Sequence, residues 1–265
     1  MVKPTIIVIG YNRPKSLNRL LTSLNEMEVE EKDINLYISL DKAKNDDVGN
    51  NECVNVANDF EWKLGNKIVD IKSSNYGLKN HVLYCGDLTE KFENVIVLED
   101  DIVVSKYMYK YACSLLEFYK DDANIAGFSL YSFPRNFNNL KKFNPLNNGT
   151  DCYFMKIACS WGQMWTKKQW NDFYKWYLQN EKIDFNKEDT LEVIKGWGNK
   201  SWLKYYMLYL VKNNKYYTFP YESFTTNFSD VGVHCESVNN NYQANMIYDK
   251  KNDFYFEKFN KSSVI

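Results

Sequence analysis

The feature that most constrains this chain is the apolar run Asn94-Val-Ile-Val-Leu98, which passes without a spacer into Glu99-Asp100-Asp101. So short and unbroken a run, rich in β-branched residues, reads as a strand buried on both faces, as in the middle of a parallel sheet. Parallel strands need crossover connections, usually helices, so strand and helix signals should alternate around it. Three adjacent carboxylates at the end of such a strand repel one another, and a divalent cation among them relieves the repulsion. Oxygen donors suit Mg²⁺ or Mn²⁺, which bind few carboxylates together with substrate phosphates. The plainer alternative is a solvated acidic turn or a helix N-cap. The buried strand before the acids and the apolar pair Val103-Val104 after them favour the cation.

The expected alternation is present. Thr5-Ile-Ile-Val-Ile9 is a β-rich run closed by Gly10. Leu17, Leu20, Leu21 and Leu24 then fall at helical spacing, with Ser16 placed to cap their helix. A strand is predicted over 34–40, ending at Asp41, then a helix over 51–64, a strand over 67–71 and a helix over 79–92. This β-α-β-α-β-α-β order predicts an α/β fold of Rossmann-like type, a mostly parallel central sheet with flanking helices. Its ligand site should lie at the carboxyl ends of the strands. Tyr11-Asn12-Arg13, Asp41 and Glu99-Asp100-Asp101 occupy three such ends and should meet in one crevice. Gly10-Tyr-Asn-Arg-Pro14 is neither a dinucleotide fingerprint nor a phosphate-binding P-loop. Asn12 and Arg13 suit a nucleotide's base or phosphates; equally, Pro14 suits the first turn of a helix.

The second half is less regular. Helices are expected over 106–119, 166–178 and 202–212, and strands over 125–131 and 216–219, with a polar loop over 136–150. Aromatic residues are abundant: 21 Tyr, 16 Phe and 7 Trp. They serve as core, as stacking surfaces for sugar rings, or as both. Trp161, beside Gly162, is the tryptophan expected at such a stacking surface.

Several function classes are disfavoured. A net charge of −1 lacks the basic footprint of a nucleic-acid binder. The six cysteines are scattered without a Cys-x-x-Cys pair, and there are two histidines, so a disulfide framework or structural zinc site is not expected. No stretch approaches the roughly 20 apolar residues of a membrane span, and no signal pattern opens the chain. The expected location is cytoplasmic. Lys141 and Lys142 allow peripheral contact with the inner face of the membrane.

Ile7-Val-Ile-Gly-Tyr-Asn-Arg-Pro14 with the leucines behind it resembles the opening of A-type-fold (GT-A) glycosyltransferases. The segment 95–105 resembles their metal-binding strand end, in the form seen in the N-acetylglucosaminyltransferase I group and related bacterial enzymes. Cys159-Ser-Trp-Gly-Gln163 resembles the segment opening the acceptor half, and residues 217–235 the closing strand and loop. Together these cover roughly residues 3–237. The resemblance implies one domain over 1–265, with a nucleotide-sugar-binding half (1–105) and an acceptor-binding half (106–265). It implies a UDP-sugar donor, a glycan acceptor that is lipid-linked or carried on a protein, and Mn²⁺ or Mg²⁺. By position, Asp41 matches the acid that contacts the base and Arg13 a nucleotide contact. Asp101 matches the direct metal ligand, and Glu99 and Asp100 match contacts to metal-bound water, ribose or sugar. Gly77, in Asn75-Tyr-Gly-Leu78, matches a turn lining the donor site. His81 lies close to a nucleotide-contacting histidine. Tyr11 falls in the same nucleotide-binding set.

One departure stands out. In related enzymes an acid after the tryptophan matching Trp202 deprotonates the acceptor. Here Leu203 and Lys204 follow. Glu188 and Asp189 are the nearest acids in sequence and the first candidates for that base; Glu222 and Asp230 are others. His234, in Gly232-Val-His-Cys235, is a candidate for the metal or a phosphate oxygen. The expected function is a metal-dependent, inverting glycosyltransferase of bacterial surface polysaccharide or glycoprotein glycan synthesis. The alternative is a catalytically impaired glycan- or nucleotide-binding protein of the same fold.

Overall fold

The computed structural model describes residues 3–136, 139–231, 240–251, 253–261 and 264–265. The first half alternates as the sequence predicts. Its elements are β1 (Thr5–Gly10), α1 (Pro14–Asn25), β2 (Leu36–Leu40), α2 (Val48–Asp59), β3 (Lys67–Ile71), α3 (Gly77–Asp87), α4 (Thr89–Phe92) and β4 (Asn94–Glu99). A short β5 (Ile102–Val104) and α5 (Met108–Tyr119) follow. The second half contains β6 (Ile125–Ser129), β7 (Cys152–Met155), β8 (Gln163–Thr166), α6 (Lys167–Asn180), α7 (Glu192–Lys195), α8 (Leu203–Lys212), β9 (Tyr216–Pro220) and β10 (Thr225–Asn227).

Eight strands form one sheet in the order β3-β2-β1-β4-β8-β6-β9-β7. β1 pairs in parallel with β2 and β4, and β2 with β3. β8 runs antiparallel to both β4 and β6, so β6 and its parallel neighbour β9 point the same way as β4. The carboxyl ends of β1, β2, β4, β6 and β9 therefore share one edge of the sheet. β5 and β10 pair antiparallel as a separate ribbon. It fixes the turn after β4, because Phe228 N–H donates to the Asp101 carbonyl at 2.8 Å.

Residues 95–98 are fully buried, as a central strand requires. One core lies on the α1, α2 and α5 side of the sheet, with Leu17, Leu20, Leu21 and Leu24 in it. The other is aromatic, built on Trp165, Trp170, Phe173, Tyr206 and Tyr217. Trp202 is buried in it as well, and Trp176 and Trp197 pack against it partly buried. Trp161, half-buried, touches both cores.

Several local expectations are corrected. Ser16 does not cap α1, which begins at Pro14; its hydroxyl instead donates to Asp230 at 2.6 Å. The second helix ends at Asp59 rather than at 64, because residues 60–66 turn to carry the chain into β3. The third helix is split at Leu88. β5, β7, β8 and β10 are strands the sequence does not predict: at three and four residues they are too short to leave a periodic signal.

Candidate functional site

The loop after β1 is the hub of the crevice. The Asn50 side chain, on α2, donates to the carbonyls of Tyr11 (2.6 Å) and Asp41 (2.8 Å), joining the ends of β1 and β2. Its own carbonyl oxygen accepts from Ala43 N–H at 3.3 Å. Asp47 caps α2 by accepting from Asn50 N–H and also accepts from the Asn12 amide, both at 3.0 Å. Asn50, Cys53 and Ala57 form the buried face of α2. An asparagine on that face is the sequence signal that would have identified this clip.

Asp41 is buried at the end of β2 and points toward α3. Its carboxylate accepts from the backbone N–H groups of Lys42 (2.9 Å), Tyr76 (2.8 Å) and Gly77 (2.8 Å), and from the Asn75 amide at 3.4 Å. A carboxylate at a helix N-terminus satisfies orphan N–H groups and complements the helix dipole. Gly77 has φ of +69°, the left-handed conformation that glycine tolerates without strain. Tyr76 is left partly exposed at the turn. One turn into α3, His81 is buried and exchanges a 2.8 Å hydrogen bond with Ser39. Burial lowers its pKa to about 4, against the opposing pull of Asp41. His81 is thus neutral near pH 7.

The acids close the crevice. Asp100 and Asp101 lie on the turn between β4 and β5, and the Arg13 guanidinium bridges them. One Arg13 nitrogen donates to Asp101 at 3.0 Å, the other to Asp100. Asp100 also accepts from Tyr11 N–H. Burial opposes the Arg13 charge, but the two carboxylates raise its pKa above the ordinary value. Burial pushes Asp100 up to about 6 against the pull of Arg13. Glu99 is pushed up to about 8, first by burial and then by repulsion from Asp101 and Asp100, and it bonds Ser160.

Asp230 extends the network. Its carboxylate accepts from Ser16 and Arg19, and its carbonyl accepts from Arg13 at 3.4 Å. Arg19 lies over the Phe228 ring, 3.7 Å from the centroid. Trp161 precedes β8, whose first residue, Gln163, pairs with Val97, so Trp161 stands beside the end of β4. Its ring meets Tyr131 at 5.0 Å and Tyr242 at 5.1 Å, and its carbonyl accepts from Thr225 at 2.6 Å.

Tyr11, Arg13, Asp41, Gly77, His81, Glu99, Asp100, Asp101 and Trp161 thus gather at the carboxyl edge of the sheet. Glu188 and Asp189 do not. Glu188 pairs with Lys212, at the end of α8. Tyr216 N–H there donates to the Asn124 carbonyl, at the amino ends of β9 and β6. That is the opposite edge of the sheet. Asp189 is exposed on the same loop. Glu222, after β9, and Asp230 are on the crevice side. His234 lies outside the described residues. Lys204 is buried, and its ammonium donates to the Trp197 carbonyl and Asn199 at 3.1 and 3.3 Å.

Among the described residues, no group of three or more His, Cys, Asp or Glu could hold a metal ion by itself. Two carboxylates already converge on one positive group, however, and Mg²⁺ or Mn²⁺ is commonly held by one or two carboxylates with substrate phosphates completing the shell. Asp100 and Asp101 fit that donor set.

Solved structures of similar fold agree with this architecture. S. aureus TarS 1–349 in complex with UDP-GlcNAc superposes with a TM-score of 0.52 at 12% identity over 88% of this chain. The UDP complex gives 0.51 at 13% identity, and a further TarS 1–349 structure gives 0.50 at 14%, each over 84% of this chain. The chain has the A-type glycosyltransferase fold. It spans 59–61% of the length of those TarS chains. No protein-family model and no curated protein matches the sequence. In open α/β sheets ligands bind outside the carboxyl ends of the strands, which here is the shared edge of β1, β2 and β4. No helix among the described residues is long and apolar enough to cross a membrane.

Proposed function

We propose that this protein is a glycosyltransferase that moves a sugar, hexosyl or N-acetylhexosaminyl, from a UDP-sugar to a glycan hydroxyl. The observation that carries the reading is the convergence of the Tyr11-Asn12-Arg13 loop, the Asp41–Gly77 turn and the Asp100–Asp101 pair on one edge of an A-type sheet. Two of the similar structures are complexes with UDP and with UDP-GlcNAc. Residues 1–105 would bind the donor and residues 106–265 the acceptor, with Trp161 stacking on a sugar ring at their border. Tyr11 and the Asn75-Tyr76-Gly77 turn, held by Asp41, would cradle the nucleotide, and neutral His81 would support that turn. Bound Mn²⁺ or Mg²⁺ would neutralise the departing diphosphate. Asp100 and Asp101 would hold it, and Glu99 would face metal-bound water or the donor sugar. An acid on the crevice side, Glu222 or Asp230, would deprotonate the acceptor opposite the leaving group, which gives inversion. A cytoplasmic enzyme of bacterial surface-glycan assembly, with a lipid-linked or protein-borne acceptor, suits this reading.

Lys204 supports a second reading. A buried, carbonyl-bound lysine stands in the segment where related enzymes carry the base. A protein that binds donor or glycan without turnover is consistent with it.

A thermal-shift panel of nucleotide sugars with and without Mn²⁺, repeated on Asp101→Ala, tests the proposal. A ligand at about 100 times its Kd adds about 2.7 kcal/mol of stability. A Mn²⁺-dependent rise for a UDP-sugar that disappears in Asp101→Ala is expected. No rise with any nucleotide sugar overturns the proposal, and a rise without sugar transfer favours the second reading.

A further inference from the structure

We infer that Arg13 is a resident counter-ion of the Asp100–Asp101 pair, and that it must be drawn onto the donor diphosphate before a divalent cation binds tightly. The inference rests on the transferase reading and adds to it a coupling between nucleotide and metal. The guanidinium contacts both carboxylates and the Asp230 carbonyl, so it fills the space between the acids. Asp100 is buried and Asp101 partly so. An arginine does not deprotonate to leave such a site. A divalent ion entering beside it would place two cations on the same two carboxylates.

The arginine leaves readily when another anion is offered. A guanidinium fork matches phosphate oxygens as well as carboxylate oxygens. The diphosphate of a nucleotide sugar offers that anion and, with the same group, the oxygen ligands that two carboxylates cannot supply. Arg13 sits on the first turn after β1, between the acids and the Tyr11 loop, so one change of partner frees the acids and grips the donor. The consequence is mutual: nucleotide raises metal affinity, and metal raises nucleotide affinity by the same factor.

The test is Mn²⁺ binding, read by electron paramagnetic resonance of the free ion, with and without UDP. Wild type should bind Mn²⁺ weakly alone and about 10-fold or more tightly with saturating UDP. Arg13→Gln should bind Mn²⁺ alone about 10-fold more tightly than wild type, and UDP should sharpen it by a smaller factor than in wild type, because only the diphosphate oxygens remain to add. Arg19→Gln removes the same charge from the neighbouring Asp230 pair and should leave Mn²⁺ affinity near the wild-type value. If Arg13→Gln does not fold, Arg13→Met decides. It keeps much of the length of the side chain and removes the charge, so Mn²⁺ alone should still bind more tightly than to wild type. Mn²⁺ affinity in the Arg13 variant that equals or falls below wild type overturns the inference. Absence of any UDP binding overturns the transferase reading instead, while the Mn²⁺-alone comparison still decides the counter-ion.

Discussion

Asn50 shows how much a single buried amide organises. It makes three hydrogen bonds, two of them to carbonyls at the ends of different strands. Asn50→Ala orphans the buried Asp41 carbonyl, at a cost of about 1–3 kcal/mol, and adds less for the part-buried Tyr11 carbonyl and Ala43 N–H, which water can reach. A lower melting temperature and weaker UDP binding are expected, by calorimetry and titration; unchanged UDP affinity in a folded variant would show that the clip does not position the site. His81 sets a pH dependence. Its folded pKa, about 4, lies below the ordinary value of 6.5. The unfolded chain therefore binds more protons between these values, and stability falls as pH drops from 6.5 toward 4. Integrated over that window the loss approaches about 3 kcal/mol. His81→Gln should flatten the melting-temperature profile there; an identical profile in the variant would assign the slope to other groups. At this scale the sequence made the acids, Arg13 and Asp41 legible because each follows a strong strand signal. The burial of Asn50 could be read from its helical spacing with Cys53 and Ala57, but its partners, and the roles of Asp47 and Ser160, could not, because they depend on which strand ends meet in space.

Among the elements, legibility followed length and periodicity. β1, β3, β4 and α5 stand within a residue or two of where apolar spacing puts them, since burial on a defined face leaves a pattern. β7 and β8 left none: their residues are buried by neighbours far along the chain, as the β8 pairings with both β4 and β6 show. The α3–α6 contact was likewise invisible. Gly86 faces Trp170 so closely that a Cβ would lie 2.1 Å from the indole. The same indole donates to Asp87 at 2.7 Å. Gly86→Ala must push Trp170 out of the aromatic core, and overpacking of this kind costs about 1–3 kcal/mol or more. A fall in melting temperature with loss of near-ultraviolet tryptophan dichroism is expected. α6 begins with a capping box in which Thr166 and Gln169 satisfy each other's backbone N–H groups. Thr166→Ala should cost about 1 kcal/mol, measured by denaturant midpoint. A neutral result would mean that β8 holds this end without the cap.

For the molecule as a whole, strand direction decides which acids can take part in chemistry, and sequence proximity does not. Glu188 and Asp189 precede α8 closely enough in the chain to suggest a base near Trp202. The loop instead crosses to the far end of α8, where Glu188 meets Lys212, four residues before β9 begins. β9 is parallel to β6 and points the same way as β4, so its carboxyl end, with Glu222, faces the edge that holds Asp100 and Asp101. Asp230 reaches that edge by another route, through Arg19 and the Arg13 contact to its carbonyl. Initial rates of UDP release in the presence of acceptor separate the two ends. Glu188→Gln and Asp189→Asn should retain turnover within about threefold of wild type, with at most about 1 kcal/mol lost from the Glu188–Lys212 pair. Glu222→Gln or Asp230→Asn should lower turnover by about 10²-fold or more, the contribution expected of a general base. The KM for the donor should change less than turnover in the variant that removes the base. Should the Glu188 or Asp189 variant be the one that stops turnover, then the loop before α8 must reach across the sheet during catalysis, and the crevice described above is half of the active site.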